Sequence, residues 1–169
     1  VLWQQRFGLS YEELIGWGDI LPTKSLRDKK NHRELYEKIF LSQFEDFEIL
    51  HENSYKDIRF LFEPGNDEEY SLNGAGETSV MIRNYVAGAL QLTTAELSAL
   101  IDHLGLGVLS PESLSALYRY ASLSRTLKVS IHDLITLQQI FLPDTENAMQ
   151  EVLATVELID EVRETGFRV

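Results

Sequence analysis

A Ser or Thr followed by leucines at helical spacing opens segment after segment of this chain. Phe7-Gly8-Leu9-Ser10-Tyr11-Glu12-Glu13-Leu14 is echoed by Leu90-Gln91-Leu92-Thr93-Thr94-Ala95-Glu96-Leu97. Two further copies are Gly107-Val108-Leu109-Ser110-Pro111-Glu112-Ser113-Leu114 and Leu127-Lys128-Val129-Ser130-Ile131-His132-Asp133-Leu134. Ser10, Thr93 and Ser130 each have an acid three residues on (Glu13, Glu96, Asp133), the spacing of a capping box. In such a box two side chains satisfy backbone N–H groups that the first helical turn leaves unpaired. The remaining copy carries Ser113 in place of the acid but puts Pro111 at the first helical position. Proline suits that position because its φ is already helical and no N–H is lost there. The apolar residue before each cap (Leu9, Leu92, Leu109, Val129) is placed to pack on the leucine four positions into the helix, as a hydrophobic staple. Helices are therefore predicted to start within about two residues of Ser10, Thr93, Ser110 and Ser130.

Downstream of the caps the apolar spacing stays helical. Leu97, Leu100, Ile101 and Leu104 form one stripe, with Gly105 as its stop. Leu114, Leu117, Tyr118 and Ala121 form the next; Leu134, Leu137 and Phe141 follow less cleanly because Gln138 interrupts, and Pro143 ends them. A last helix is predicted from near Asp144 or Thr145 to about Thr165, with Met149, Val152, Leu153, Val156 and Ile159 facing inward and Gly166 closing it. Upstream, Arg33–Phe44 carries Leu35, Ile39 and Phe40 on one side, and Ser79–Leu90 reads as a helix leading into the second cap. From about Glu45 to Glu77 the pattern breaks into aromatics and acids around Pro64-Gly65 and Gly74-Ala75-Gly76. Phe47–Leu50 and Asp57–Phe62 each have the composition of a short strand, so this stretch holds a short β-hairpin at most. The fold class is thus mainly α, a stack of capped helices interrupted by an irregular acidic, aromatic insertion. Its divisions are an N-terminal helical portion 1–44, the insertion 45–78 and a C-terminal helical array 79–169. Each short helix buries its stripe only by stacking on a neighbour.

Composition narrows the function classes. The 169 residues carry 15 Lys plus Arg against 27 Asp plus Glu, a net charge of −12. A surface that tracked nucleic-acid phosphates or anionic lipid would need the opposite sign, so neither nucleic acid nor membrane is an expected partner. With no cysteine, disulfides and thiolate metal sites are impossible. Residues 1–20 hold Arg6, Glu12, Glu13 and Asp19 and lack the apolar run of a signal peptide. The sequence begins at Val1 and ends on Phe167-Arg168-Val169, which repeats the Leu127-Lys128-Val129 that precedes a cap. A further helix start is expected beyond it, which makes these residues one compact fragment of a much larger protein.

Candidate chemistry is sparse. His32, His51, His103 and His132 share no metal-ligand spacing, and His103 and His132 fall on helix faces expected to be exposed. Gly74-Ala75-Gly76 lacks the other positions of a phosphate loop, and Asp67-Glu68-Glu69 lacks the alternating ligands of a calcium loop, so both read as turns. Glu157, Asp160, Glu161 and Glu164 form a solvated helix face that Arg163 partly neutralises. The basic cluster Lys24, Arg27, Lys29, Lys30 and Arg33 precedes Glu34 and Glu37 and is expected to pair locally. Trp3 and Trp17 flank the first cap and belong to its packing. No catalytic, cofactor-binding or metal-binding residue is assigned, no cofactor is expected, and the protein is not expected to be an enzyme.

One family fits the order of these motifs. Leu109-Ser110-Pro111-Glu112-Ser113-Leu114-Ser115-Ala116-Leu117-Tyr118-Arg119-Tyr120-Ala121 resembles a segment of the A component of bacterial toxin complexes, the insecticidal Tc toxins. Leu123–Ser130 is similar to the next helix and cap there, as is Val156–Phe167 to a later stretch. Phe7–Leu14 and Leu35–Leu41 resemble upstream helices of the same family, leaving about Glu45–Tyr70 unmatched. In that family the A component is a very large protein that forms a pentameric bell, docks on target cells and passes a toxic enzyme through a channel. The resemblance implies a segment of the α-helical shell around that channel, secreted or at the bacterial surface. Its implied partners are the rest of the parent subunit, its sister subunits in a homo-oligomer, and a host-cell surface receptor as a candidate. A second reading is a receptor-, glycan- or partner-binding helical module, favoured if Phe47, Tyr55, Phe60 or Phe62 form an exposed apolar cluster. A hydrolase would need a cleft gathering a histidine and two carboxylates.

Overall fold

The computed structural model describes residues 2–21, 35–41, 61–62, 69–141 and 147–166, with the side chains of Leu2 and Trp3 outside that description. The helices are α1 (Leu2–Phe7), α2 (Tyr11–Gly18), a π-helical turn (Glu37–Leu41), α3 (Glu77–Leu90), α4 (Thr94–Leu104), α5 (Pro111–Leu127), α6 (Ile131–Phe141) and α7 (Ala148–Glu164). Among the described residues there is no strand, only an isolated antiparallel bridge between Ser71 and Val108. The architecture is mainly α, as the spacing predicts.

All four caps stand where the pattern puts them. Ser10 with Glu13 and Thr93 with Glu96 form complete capping boxes. At Ser110 the backbone N–H of Ser113 donates to the cap hydroxyl at 3.1 Å. At Ser130 the Asp133 N–H donates to the hydroxyl at 3.1 Å, but the return leg differs. Aspartate is one methylene shorter than glutamate, and its carboxylate accepts from the Ser130 hydroxyl at 2.6 Å. Removing the Thr93 hydroxyl (Thr93→Ala) is expected to lower stability by about 1 kcal/mol, measured by denaturant unfolding. The Thr93 backbone N–H donates to Glu96 and, with the Thr93 hydroxyl, holds its carboxyl below the usual range. Because the folded value is depressed, this contribution is present above the unfolded pKa and lost as pH falls through the folded one. Glu96→Gln should flatten that part of the acid limb, and an unchanged limb would refute the assignment.

The repeated phrase also has a first half. Gly8, Gln91 and Lys128 each take a left-handed conformation (φ 66°, 56° and 53°) directly after the last residue of α1, α3 and α5. Each is followed by one apolar residue and then the cap. The turn joins the helices in three residues and satisfies open carbonyls of the preceding helix: Leu92 N–H donates to Ala87 O at 2.9 Å and Val129 N–H to Ser124 O at 3.0 Å. The copy at Ser110 is longer, because α4 ends earlier at the left-handed Gly105 (φ 63°). Its extra residues carry the bridge to Ser71, with Leu72 N–H donating to Gly107 O at 2.9 Å and Leu109 N–H to Tyr70 O at 2.8 Å.

Helix α5 is the hub, in contact with α2, α3, α4, α6 and α7, and ten of its 17 residues are buried. An aromatic lobe extends the same core. The Tyr36 hydroxyl donates to Phe62 O at 2.7 Å and that of Tyr85 to Phe40 O at 2.5 Å, while the Phe40 and Phe62 rings lie 6.4 Å apart and nearly parallel. Burial raises the Tyr36 and Tyr85 phenols above their ordinary value.

Several expectations need correction. The last helix starts at Ala148 behind the cap Asn147, whose side chain accepts from Gln150 N–H at 3.0 Å, rather than near Asp144 or Thr145. Its inward face is Val152, Thr155, Val156 and Ile159, while Met149 and Leu153 are 39% and 37% exposed. On α6 the inward face is Ile131, Leu134, Ile135 and Gln138, so the glutamine belongs to the stripe and Phe141 lies outside it at 58% exposure. Leu61 is helical and Phe62 lies in a turn, buried in the core, which removes the end of the Asp57–Phe62 strand. Leu35–Leu41 is helical as expected but becomes π-helical from Glu37 on, and Tyr36 just before that turn and Phe40 within it are its buried residues. The rest of Arg33–Phe44, the Phe47–Leu50 strand, Tyr55, Phe60, the basic cluster 24–33, Asp67, Glu68, His32 and His51 lie outside the described residues.

Candidate functional site

The residues with chemical potential sit mainly on α5 and are drawn together by its central position. Along one seam, serine hydroxyls receive the N-terminal helices. Trp17 Nε1–H donates to Ser122 Oγ at 2.9 Å, and Leu21 N–H donates to Ser115 Oγ at 2.8 Å, which itself donates to Pro111 O at 2.5 Å. Ser113 donates to Val108 O at 2.7 Å and Ser124 to Val129 O at 2.6 Å, clasping the connections at both ends of the helix. Small side chains let α2 approach closely. A Cβ added at Gly16 would stand 2.8 Å from Leu21 Cδ2 and 3.0 Å from Tyr118 Cε1. Burial pushes the Tyr118 phenol up to about 12.

A second cluster joins four helices. The Tyr120 hydroxyl (α5) donates to the Glu151 carboxylate (α7) and lies 3.4 Å from His103 Nε2 (α4), with the two rings edge to face at 5.7 Å. Gln139 (α6) places its amide nitrogen 3.3 Å from His103 Nδ1. Gln138 (α6) donates to Thr155 Oγ1 at 2.8 Å, and Thr155 donates to Glu151 O at 2.7 Å. Tyr120 is pushed well above the ordinary phenol value, first by burial and then by its bond to Glu151. Arg119, half-buried beside it, is lowered by burial against the opposing charge of Glu151. Gln138 Oε1 and Arg119 Nε are buried without a hydrogen-bond partner among the described residues.

His103 is therefore half-buried under Tyr120 and Gln139 rather than exposed, whereas His132 is exposed as expected. The cluster's chemistry is that of a tie. The Tyr120 phenol already donates to Glu151, and Thr155 donates to a backbone carbonyl, so neither hydroxyl is left for the imidazole to activate as a nucleophile. Tyr120→Phe is expected to cost about 1–3 kcal/mol in denaturant unfolding, since it leaves Glu151 short of a donor. His103→Ala should cost less; a reversed order would move the structural centre of the cluster to the histidine.

Elsewhere the acidic face of α7 is solvated as expected but neutralised differently. Asp160 pairs with Arg6 at 2.5 Å, and Arg163 donates to Leu127 O at the end of α5 instead of neutralising its neighbours. Glu157, Glu161 and Glu164 are exposed. Among the described residues, two of the surface cavities adjoin residues considered above. One of about 460 Å³ lies among Tyr11, Leu14, Ile15, Gly18, Asp19 and Met149; one of about 500 Å³ lies among Leu72, Asn73, Gly74, Arg83, Ser98 and Asp102. Neither gathers a histidine with two carboxylates. Among the described residues no three His, Asp or Glu side chains converge as a metal site, and no helix is long and apolar enough to cross a membrane.

No protein-family model, curated protein or solved structure matches the sequence.

The serine seam is the feature that sequence reasoning missed. Ser113, Ser115, Ser122 and Ser124 recur along α5 next to apolar residues. That signal was present, but a serine beside a leucine stripe reads equally well as a solvated helix side.

Proposed function

We propose that the protein is a structural shell segment of the cell-binding and translocation A subunit of an insecticidal-type bacterial toxin complex, without catalysis of its own. The observation that carries this reading is the place of Leu109–Ala121, the segment in which the resemblance is densest. It forms the start and middle of the hub helix, and its Ser113, Ser115 and Tyr120 hydroxyls are engaged by neighbouring elements. On this reading the rest of the parent subunit and its sister subunits are the partners, and the protein works outside the bacterium or on its surface.

The test is the complete coding sequence around this segment and the size of its product. A very long polypeptide that sediments as a pentamer is expected. A full-length protein of ordinary domain size would overturn the proposal.

The binding-module reading is favoured by one feature, the 460 Å³ groove beside Tyr11, which is 70% exposed. An aromatic ring at a groove edge is a common contact for a glycan or a protein partner. Saturable binding to a glycan array, lost in Tyr11→Ala, would support that reading over the shell.

A further inference from the structure

Asn73-Gly74 lies in the bend that leads into α3, with Asn73 exposed. Asn-Gly is the dipeptide most prone to spontaneous cyclisation, because glycine has no Cβ to shield its nitrogen or restrict its rotation. In the reaction the Gly74 nitrogen attacks Asn73 Cγ. A new bond forms from that nitrogen to Cγ, and the bond from Cγ to Nδ2 breaks. Nδ2 leaves as ammonia, carrying the proton from Gly74. Water then opens the five-membered imide at either carbonyl, leaving an aspartyl or an isoaspartyl linkage. Asparagine is thermolabile for this reason.

The surroundings of this dipeptide are unusual. Arg83 Nη1 donates to Leu72 O at 2.6 Å and to Gly74 O at 2.8 Å, so one guanidinium grips the backbone on both sides of Asn73. Leu72 is further fixed by its N–H bond to Gly107 O at 2.9 Å. Gly74 is packed so closely that an added Cβ would stand 2.5 Å from Ser79 Oγ, and Ser79 is buried. Cyclisation requires the Asn73–Gly74 peptide to swing over the amide carbonyl of the Asn73 side chain, which the two gripped backbone carbonyls oppose. An isoaspartyl linkage adds a backbone carbon between them and could not keep both bonds.

We infer that Asn73-Gly74 is a self-modification site held unreacted by Arg83. The guanidinium is a restraint on the protein's own chemistry, and its release converts an exposed amide into a negative charge at the mouth of the 500 Å³ cavity. The inference is independent of the shell proposal, since it requires only the local fold.

The experiment is incubation of the whole protein at mildly alkaline pH, with peptide mapping by mass spectrometry for loss of ammonia and for isoaspartate at position 73. Folded wild type, R83Q and R83K are compared with wild type in denaturant, and N73Q assigns the signal. Because two charge-assisted bonds restrain the site, conversion in R83Q should be roughly tenfold to a hundredfold faster than in folded wild type. R83K keeps the charge and enough donors but lacks the reach and planar geometry of the Arg83 Nη1, so it should fall between them. Circular dichroism and the unfolding midpoint show whether each variant is folded; if R83Q is not, R83K decides. Folded wild type reacting as fast as the denatured protein, or a folded variant reacting as slowly as wild type, would overturn the inference.

Discussion

Trp17→Ala is expected to destabilise the protein by about 3–5 kcal/mol, the range for truncating a large aromatic in a close-packed core. Trp17 is fully buried, its ring lies 6.0 Å from that of Phe7, and its N–H holds Ser122. The substitution opens a cavity between α2 and α5 and leaves the Ser122 hydroxyl, itself buried, without its donor. Trp17→Phe separates the two effects: it keeps most of the volume and loses only the hydrogen bond, so about 1–2 kcal/mol is expected. Chemical denaturation followed by circular dichroism measures both. A Trp17→Ala loss below that of Trp17→Phe would mean that α2 is not docked on α5 as described.

Leu114→Ala comes next, at about 2–5 kcal/mol. Leu114 is 1% exposed in the first turn of the hub helix, where its N–H also closes the turn on Ser110 O at 2.9 Å. The site has little room to collapse, because backbone bridged to Tyr70 precedes it and α4 packs alongside. The unfolding midpoint in guanidinium should therefore fall with little change in slope. A loss close to that of Thr93→Ala would show that the turn repacks, and the hub description would need revision.

The helical part of this fold was legible because its signals are local. Ser10, Thr93, Ser110 and Ser130 each declare themselves within four residues, and the structure places every one at a helix start. What escaped is decided between elements. Gln138 read as an interruption because a lone amide is indistinguishable from a surface one until Thr155 is brought opposite. His103 read as exposed because nothing in its own helix announces Tyr120 and Gln139 above it. Met149 and Leu153 fit an inward stripe as well as Val152 and Val156 do; α7 simply turns the other face to the core. Gln91 and Lys128 were missed for a different reason. A left-handed C-cap is usually announced by glycine, and these two occupy it at some conformational cost.

The bond between Trp17 and Ser122 spans 105 positions of sequence, whereas the caps and short turns of α3–α6 close over a few. Short loops form before long ones because the entropy of closure rises with loop length, and local contacts dominate early folding. On this ground the C-terminal helices are expected to pair first, and α2 to seat last against a hub already in place. Interactions made after the rate-limiting step slow unfolding more than they speed folding. Trp17 is then expected to act as the closing latch of the molecule, governing how long it stays folded more than how quickly it gets there. In a Trp3→Phe background its fluorescence should lag behind the helical signal after dilution from denaturant, and simultaneous signals would contradict that order.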